Sequence, residues 1–247
     1  MGTTAQKLNK ILETKEAIRT AINNKGGTLT TTDTFASYPS AIDSLPSGGG
    51  GSLKTLLDAT KSTAYLFFNY KGTSIEGLIS YSDTSSVTSM SRMFYQCSNL
   101  VTIPQLDTSN VTAMTYMFRE CSNLTTIKLD TSKVRVMSYI FENCRNLATI
   151  DITHMNITSI YDNSRFAYNC NSLTKLIIRN MNAIPSLDSE AFKYCYHFTG
   201  TTNATYNPQG LKDGRIYVPD DKVDALKTAS GWSTYADIIV PLSTLVE

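Results

Sequence analysis

A cysteine returns at nearly constant spacing along this chain of 247 residues, at Cys97, Cys121, Cys144, Cys170 and Cys195. The gaps are 24, 23, 26 and 25 residues. Around three of these cysteines the sequence almost copies itself: DTSSVTSMSRMFYQCSNLVTIPQL (83–106), DTSNVTAMTYMFRECSNLTTIKL (107–129) and DTSKVRVMSYIFENCRNLATIDI (130–152). Self-similarity at such a period predicts one structural unit that is repeated, with each unit burying its apolar face against the next. The pattern favours an elongated surface for display or recognition over a catalytic fold.

Each repeat is predicted to contain a short helical turn followed by a short strand. In the second repeat, apolar residues three or four apart would share one helix face: Val111, Met114, Met117, Phe118 and Cys121. After a turn, Leu124, Ile127 and Leu129 alternate approximately as one face of a strand does. Strands of neighbouring repeats would then pair in parallel at about 4.8 Å and form a narrow sheet along one side.

The repeat pattern weakens at both ends, as capping units require. Residues 64–82 contain a faint repeat without the cysteine, in which we align Phe68 with Phe94. The fourth repeat has extra residues, and its Phe166 stands four residues before the cysteine, not three. At the C-terminal end we expect a strand at 216–218 and a helix that begins at Asp220. The residues expected to close the core are Val223, Leu226, Trp232 and Ile238.

The first 45 residues form a separate unit, a predicted helical anchor. Apolar residues recur at helical spacing at Leu8, Ile11, Leu12, Ile18 and Ile22. A helix of about 20 residues is not stable in water with this stripe exposed. Its cover could come from residues 34–45, from copies of the same helix or from a partner protein. A lysine at one seam position weakens the coiled-coil interpretation, and we expect a homo-oligomer, most simply a trimer, through these residues.

A run of glycine and serine at 46–52 separates this anchor from the repeats. Such runs bury nothing and act as flexible linkers. The same form is typical of an engineered insert, although both flanks resemble natural sequence. The predicted organisation is therefore an anchor at 1–45, a linker at 46–52 and a repeat domain at 53–247, with an N-terminal cap at 53–82 and a C-terminal cap at 211–247.

Composition excludes several classes of function. The net charge is +1 with cations and anions interspersed, so no basic stripe indicates nucleic acid. No apolar run approaches the roughly 20 residues that cross a bilayer, and we expect no membrane insertion. The first residues lack the layout of a secretory signal, so we expect synthesis in a cytosol and no export by the usual route.

The cysteines, aspartates and histidines have competing interpretations. The cysteine ladder could bind metal or be redox-active, but it lacks ligand spacing and its place on an apolar face predicts core packing. Asp83, Asp107 and Asp130 should align along the repeats, where they would either stabilise turns or bind calcium. His154 and His197 lie in irregular repeats, and no nucleophile constellation or obvious carboxylate pair accompanies them. We therefore assign no catalytic, cofactor-binding or metal-binding residue.

Five tyrosines are the candidates for a ligand surface: Tyr95, Tyr116, Tyr139, Tyr168 and Tyr194. They stand one to five residues before their cysteines, and Tyr116 and Tyr139 align whereas Tyr95 is displaced. Tyrosine combines a flat apolar ring with a polar tip, which suits the binding of sugars or proteins. Partial burial between neighbouring repeats is the alternative, and the sequence leaves both open.

The units LDTSNVTAMTYMFRECSNLTTIKL and EAFKYC, and the ending IYVPDDKVDALKTASGWSTYADIIVPL, resemble the BspA-like class of leucine-rich repeats over about residues 64–243. The N-terminal part, with its helix, TFASYPSAI and glycine linker, resembles the leader of phage fibres and other virion surface proteins. The two resemblances imply an α/β, leucine-rich-repeat-like solenoid carried by a phage virion. They imply that residues 1–45 dock on other virion proteins and that the repeats contact a host-surface glycan or protein. The BspA-like class also contains bacterial surface adhesins, which gives the alternative of a cellular adhesin or interaction protein.

Overall fold

The structure is a computed structural model that describes residues 62–76, 79, 84–155 and 160–246, together with Glu16, Arg19, Thr20 and Asn23. These last four residues are helical. The predicted anchor residues Leu8, Ile11, Leu12, Ile18 and Ile22 and the linker at 46–52 lie outside the described residues, so the anchor and its oligomerisation remain predictions.

Five parallel strands form one sheet in the order in which they occur in the chain. They are β1 (Thr126–Leu129), β2 (Thr149–His154), β3 (Lys175–Asn180), β4 (Arg215–Val218) and β5 (Ile239–Pro241). Equivalent residues of successive repeats pair, as in Ile127 with Ile150 and Ile150 with Leu176. The prediction of an α/β chain with parallel strands from successive repeats is therefore confirmed.

Regular helices are few and short among the described residues of the repeat region. The α-helices are α1 (Tyr196–Thr199) and α2 (Val223–Thr228). Short 3₁₀ segments occur at Ile160–Asn163, Asp220–Lys222, Ser233–Tyr235 and Leu242–Thr244. No helix within this described part of the chain is long and apolar enough to cross a bilayer.

The first cysteine repeat lacks the strand that the later repeats form. Its residues 100–107 have no regular structure. The segment contains Pro104, which has no backbone N–H to donate to a neighbouring strand. Compared with the second repeat it also has one additional residue before its terminal leucine, and this shifts the alternation of side chains. The sheet therefore begins at the second repeat.

The segment before each cysteine is a series of tight turns, so the predicted helix is wrong. In the second repeat, Met117 N–H bonds to Met114 C=O and Cys121 N–H bonds to Phe118 C=O. The third residue of each of these turns has positive φ, 59° at Tyr116 and 66° at Glu120. Positive φ at this position is the geometry of a type II turn. Bonds from residue i to i+3 reproduce the helical spacing of buried side chains, which explains why the sequence pattern predicted a helix.

Backbone groups that the turns leave unpaired bond to the next repeat. The N–H groups of Met114, Tyr116 and Phe118 donate to the carbonyls of Val136, Ser138 and Ile140 at 2.9, 3.1 and 2.9 Å. The N–H groups of Met117, Arg119 and Cys121 close turns within their own repeat. Alternate residues thus bond within and between repeats, and this satisfies the buried backbone without a helix.

A column of phenylalanine rings runs through the core. Phe67 stacks on Phe94, Phe94 on Phe118 and Phe118 on Phe141, with ring centroids 5.5, 5.3 and 5.8 Å apart and interplanar angles of 10–12°. All four rings are fully buried. Phe67 N–H donates to Met93 C=O just as Phe94 N–H donates to Met117 C=O. The residue in register with Phe94 is therefore Phe67, and the predicted alignment of Phe68 is wrong.

The displaced phenylalanine of the fourth repeat changes the packing from stacked to edge-on. Ala167 occupies the backbone position of the phenylalanines, because Cys170 N–H donates to its carbonyl. Phe166, one residue earlier, still fills the column, and its ring makes an angle of 88° with the ring of Phe141 at 5.4 Å. The shift by one residue thus keeps the core filled but rotates the ring.

The C-terminal cap covers the open end of this column. Val223, Leu226, Trp232 and Ile238 are buried, and the Trp232 indole N–H donates to Pro185 C=O at 2.7 Å. Gly231 has a φ of 77°, and a Cβ at this position would lie 2.2 Å from the Leu187 carbonyl oxygen. Only glycine fits there, and it lets Trp232 enter the core.

Replacing Gln96 by Asn should stabilise the protein. Gln96 has a φ of 64°, and the equivalent residues with positive φ include Asn69, Asn143 and Asn169. Because Asn tolerates the left-handed region better than Gln, we expect a gain of about 0.5–1 kcal/mol in the free energy of unfolding, measured with urea. Gln105→Asn is the matched control, since Gln105 is exposed and lacks positive φ. An equal gain in both variants would contradict the explanation.

Candidate binding surface

Two columns of outward side chains run along the stacked repeats, and we call them together the Tyr–Arg band. The first column stands five residues before each cysteine or its equivalent: Tyr65, Arg92, Tyr116, Tyr139, Arg165 and Glu190. The second stands two residues before: Phe68, Tyr95, Arg119, Glu142, Tyr168 and Lys193. Every member of the first column except Glu190 has positive φ. The shared turn geometry places equivalent side chains of these repeats next to one another.

The first column begins with a guanidinium between two tyrosine rings. The Cζ atom of Arg92 lies 5.6 Å from the ring centroid of Tyr65 and 4.7 Å from that of Tyr116. On its other side Tyr116 stacks on Tyr139, with centroids 4.7 Å apart and an interplanar angle of 14°. Arginine over an aromatic face is attracted by the ring quadrupole. Both faces of Tyr116 are therefore covered.

The second column continues this arrangement with an ion pair at its centre. Arg119 lies over the rings of Tyr95 and Tyr116, with its Cζ 5.5 and 5.6 Å from their centroids. Its Nη1 donates to the Tyr95 hydroxyl at 3.1 Å, and its Nε lies 2.5 Å from Oε2 of Glu142. Glu142 is only 4% exposed, and its other oxygen lies 3.5 Å from Nη1 of Arg165. This carboxylate thus joins the two halves of the band.

The second half of the band surrounds Glu190. Arg165 Nε and Lys193 Nζ each lie 2.7 Å from one oxygen of Glu190, and these cations lower the pKa of its carboxyl group, with Lys193 contributing most. Arg165 also lies over the ring of Tyr168, which meets the ring of Tyr194 edge-on at 5.3 Å. The cations in this half are therefore already neutralised by a carboxylate.

The structure brings the predicted tyrosines together as two groups and not as one row. Tyr95, Tyr116 and Tyr139 form the first group, because the displaced Tyr95 lies in the adjacent column, 6.5 Å from Tyr116. Tyr168 and Tyr194 form the second. Tyr194 is 43% exposed, whereas the other four are half-buried. The rings pack against rings of neighbouring repeats, as the interpretation of partial burial expects, and the interpretation as a ligand surface stays a prediction.

Sequence reasoning missed the charged members of the band. Arg92, Arg119 and Arg165 alternate with the tyrosines at the same positions relative to their cysteines. An alignment of the repeats on the cysteines would have revealed them, because each column mixes aromatic and charged residues. Treating the tyrosines alone as candidates hid this alternation.

Two tyrosine hydroxyls of the band, those of Tyr116 and Tyr168, have a raised pKa. Burial raises the pKa of Tyr116 above its usual value, and the neighbouring Tyr139 raises it further. Burial and the proximity of Tyr194 raise the pKa of Tyr168 in the same way. The hydroxyls of Tyr116 and Tyr168 can therefore act as hydrogen-bond donors.

The five cysteines form a ladder inside the core. All are fully buried and unpaired by disulfides. Each thiol lies near a backbone carbonyl of the preceding repeat, as in Cys121 Sγ to Phe94 C=O at 3.1 Å and Cys144 Sγ to Phe118 C=O at 3.0 Å. Burial raises the pKa of Cys121, Cys144, Cys170 and Cys195 above the usual thiol value. A raised pKa disfavours the nucleophilic thiolate, so the ladder has a packing role, as predicted.

The aspartates of the DTS units stabilise turns. Asp107 Oδ1 accepts the N–H and hydroxyl of Ser109 at 3.0 and 2.6 Å. Asp130 Oδ1 accepts the N–H of Ser132 at 2.9 Å and the hydroxyl of Thr153 at 2.8 Å. Burial would raise the pKa of Asp130, but these hydrogen bonds outweigh it and the pKa is lowered. The third aspartate of the row, Asp83, lies outside the described residues.

The two histidines are not brought together by the fold. His154 Nδ1 lies 3.2 Å from the hydroxyl of its neighbour Thr153, and His197 Nδ1 lies 2.8 Å from Oδ1 of Asp213.

Asp151 on the outer sheet face forms a two-point ion pair with Arg179 at 2.9 and 2.8 Å. Within the described residues no group of three or more His, Cys, Asp or Glu side chains could hold a metal ion.

A family model matches part of the repeat region. Residues 61–183 match the family model described as "Mycoplasma protein of unknown function, DUF285". This family is associated with BspA-like repeat proteins, so the match supports that resemblance over the repeats. Neither the curated proteins nor the solved structures give a match. The resemblance of residues 1–45 to virion leaders receives no support from these comparisons and stays a prediction.

The buried thiols predict a loss of stability in alkaline solution. Because their pKa is raised in the folded state, the unfolded chain loses these protons first, and stability falls as pH rises above the usual thiol value. Between pH 8 and pH 10 the free energy of unfolding of Cys144→Ala should fall by about 2 kcal/mol less than that of the wild-type protein.

Urea unfolding at both pH values measures this effect. Met137→Ala is the control, since it removes a buried side chain of the same repeat without a titrating group. It should lower stability equally at the two pH values. If Cys144→Ala showed the same pH dependence as the wild-type protein, burial would not control this thiol.

Proposed function

We propose that the chain is a structural protein of a phage virion, a head or tail fibre or decoration that attaches the particle to the host surface. In this proposal residues 1–45 form a homo-oligomer docked on other virion proteins. The repeats form a leucine-rich-repeat-like solenoid on the virion surface and contact a host glycan or protein. The protein performs no catalysis.

The Tyr–Arg band is the observation that supports an attachment role. It extends over six successive repeats, from Tyr65 to Lys193, on backbone turns that are fixed by hydrogen bonds between repeats. Tyrosine and arginine are enriched at the energetic centres of binding interfaces. A long, pre-organised row of these residues suits the binding of an extended surface polymer or protein.

The contacts of the acidic residues support a binding role without catalysis. Glu142 and Glu190 are held by arginines or lysine of the band, and Asp107 and Asp130 are engaged in turns. A glycoside hydrolase needs one carboxyl group free to give up a proton and another to attack or activate water. The ion pairs of Glu142 and Glu190 oppose both tasks.

A cellular adhesin or interaction protein of the BspA-like class is the second candidate. The match of residues 61–183 to a family described from Mycoplasma favours it. Both candidates use the repeats for attachment, and they differ in what carries the N-terminal segment.

Localisation of the protein separates these candidates. Particles produced from the genome that encodes this chain should contain it, as detected by mass spectrometry, and antibodies against the repeats should label the particle surface and block adsorption. Finding the protein on the cell envelope and absent from particles would contradict the virion proposal and support the adhesin. Release of sugars from host polysaccharide by the purified protein would contradict the absence of catalysis.

A further inference from the structure

Arg92 differs from the other cations of the Tyr–Arg band in its charge balance. Arg119, Arg165 and Lys193 each lie within ion-pair distance of Glu142 or Glu190. Among the residues that the structure describes, no carboxylate lies within ion-pair distance of Arg92. Its guanidinium instead lies between the rings of Tyr65 and Tyr116. Within the described part of the chain, the positive charge at this end of the band is therefore not paired with a carboxylate.

The aromatic neighbours of Arg92 present edges and not faces to a ligand. The faces of Tyr116 are covered by Arg92 and Tyr139, and the ring of Tyr95 is covered in part by Arg119. Stacking of a sugar ring or a nucleic-acid base needs an open aromatic face. Arg92, Tyr95 and Tyr116 are half-buried, and their guanidinium N–H and hydroxyl groups are hydrogen-bond donors suited to an anion.

We propose that the Arg92 end of the Tyr–Arg band binds the carboxylate groups of an acidic polysaccharide. The proposal deepens the attachment function proposed above and rests on it for its biological role. The guanidinium fork matches a carboxylate with two parallel hydrogen bonds. Further hydrogen-bonding groups are the hydroxyl of Tyr116, which follows Arg92 in the first column, and that of Tyr95 in the second column.

Geometry favours a carboxylate over a phosphate. Side chains of successive repeats stack on one another in the band, and the ring centroids of Tyr116 and Tyr139 are 4.7 Å apart. A carboxylate is planar, so it can lie in the plane of the guanidinium without approaching the rings on either side. A tetrahedral phosphate would direct oxygens toward the rings above and below.

The shape and polarity of the band favour a polysaccharide over an acidic protein. Protein interfaces rely on apolar anchors that enter pockets. The large apolar side chains exposed within the described residues are Val101, Tyr194, Leu211 and Val246, and none of them is next to Arg92 in the band. A hydroxyl-rich polymer with regularly spaced carboxylates complements the row of donors better.

Binding of the full-length protein to polygalacturonate tests the proposal, with the fully methyl-esterified polymer as the neutral probe of the same backbone. In isothermal titration calorimetry the wild-type protein should bind the acid polymer and not the ester. Arg92→Gln should weaken binding about tenfold or more, because it removes a charge-assisted pair of hydrogen bonds. Rising salt concentration should weaken the wild-type complex.

Two further variants keep the test independent of folding. Tyr116→Phe keeps the ring stack and removes only the hydroxyl, and should weaken binding severalfold. Arg135→Gln changes an exposed arginine of the third repeat outside the band and should bind as the wild-type protein does. Thermal unfolding of each variant verifies that the fold is intact.

Several outcomes would overturn the proposal. These are equal binding by the wild-type protein and by Arg92→Gln, equal binding of acid and ester, or tighter binding of poly(glycerol phosphate) or polyglutamate. If the protein blocks adsorption but fails these tests, attachment stands and the carboxylate site is wrong. If it binds polygalacturonate through Arg92 but is absent from particles, the site stands and the virion proposal is wrong.

Discussion

Alternation of backbone hydrogen bonds in the segment before each cysteine determines the rest of the structure. One N–H group closes a turn within its repeat, and the next donates to the carbonyl of the following repeat. The turns of the first four cysteine repeats require positive φ at two positions each, which costs roughly 1–2 kcal/mol for each residue other than glycine. The bonds between repeats and the buried apolar side chains offset that cost, because they exist only in this geometry.

A second consequence is that equivalent residues of successive repeats must lie next to each other. Inside the core this places phenylalanine on phenylalanine and thiol beside carbonyl. Outside, it places Tyr116 on Tyr139 and Arg92 between two tyrosines. The same backbone therefore makes both the hydrophobic column and the band of donors, and a substitution at one position acts on three repeats.

The ion pairs that stabilise the band also order the side chains that we propose to bind a ligand. Glu142 is nearly fully buried and joins Arg119 to Arg165, so it fixes the long side chains of the band before a ligand binds. Side chains that are already ordered lose less conformational entropy on binding. Arg92 is held between aromatic rings, which orders the guanidinium, and no carboxylate among the described residues pairs with its charge. Attachment by a fibre and attachment by a cellular adhesin would draw on the same surface.

The sequence by itself determined the repeat, its period, the parallel pairing of strands and the buried residues, since periodic apolar residues report directly which side chains leave water. It also indicated that Trp232 and its neighbours close the core. Only the tertiary structure decided that turns replace the predicted helix, because a spacing of three to four residues is common to both. It likewise decided that Phe67 and not Phe68 joins the core, and that the tyrosines alternate with arginines. These features depend on hydrogen bonds between repeats. The register of one repeat on the next determines those bonds, and the sequence of a single repeat does not specify that register.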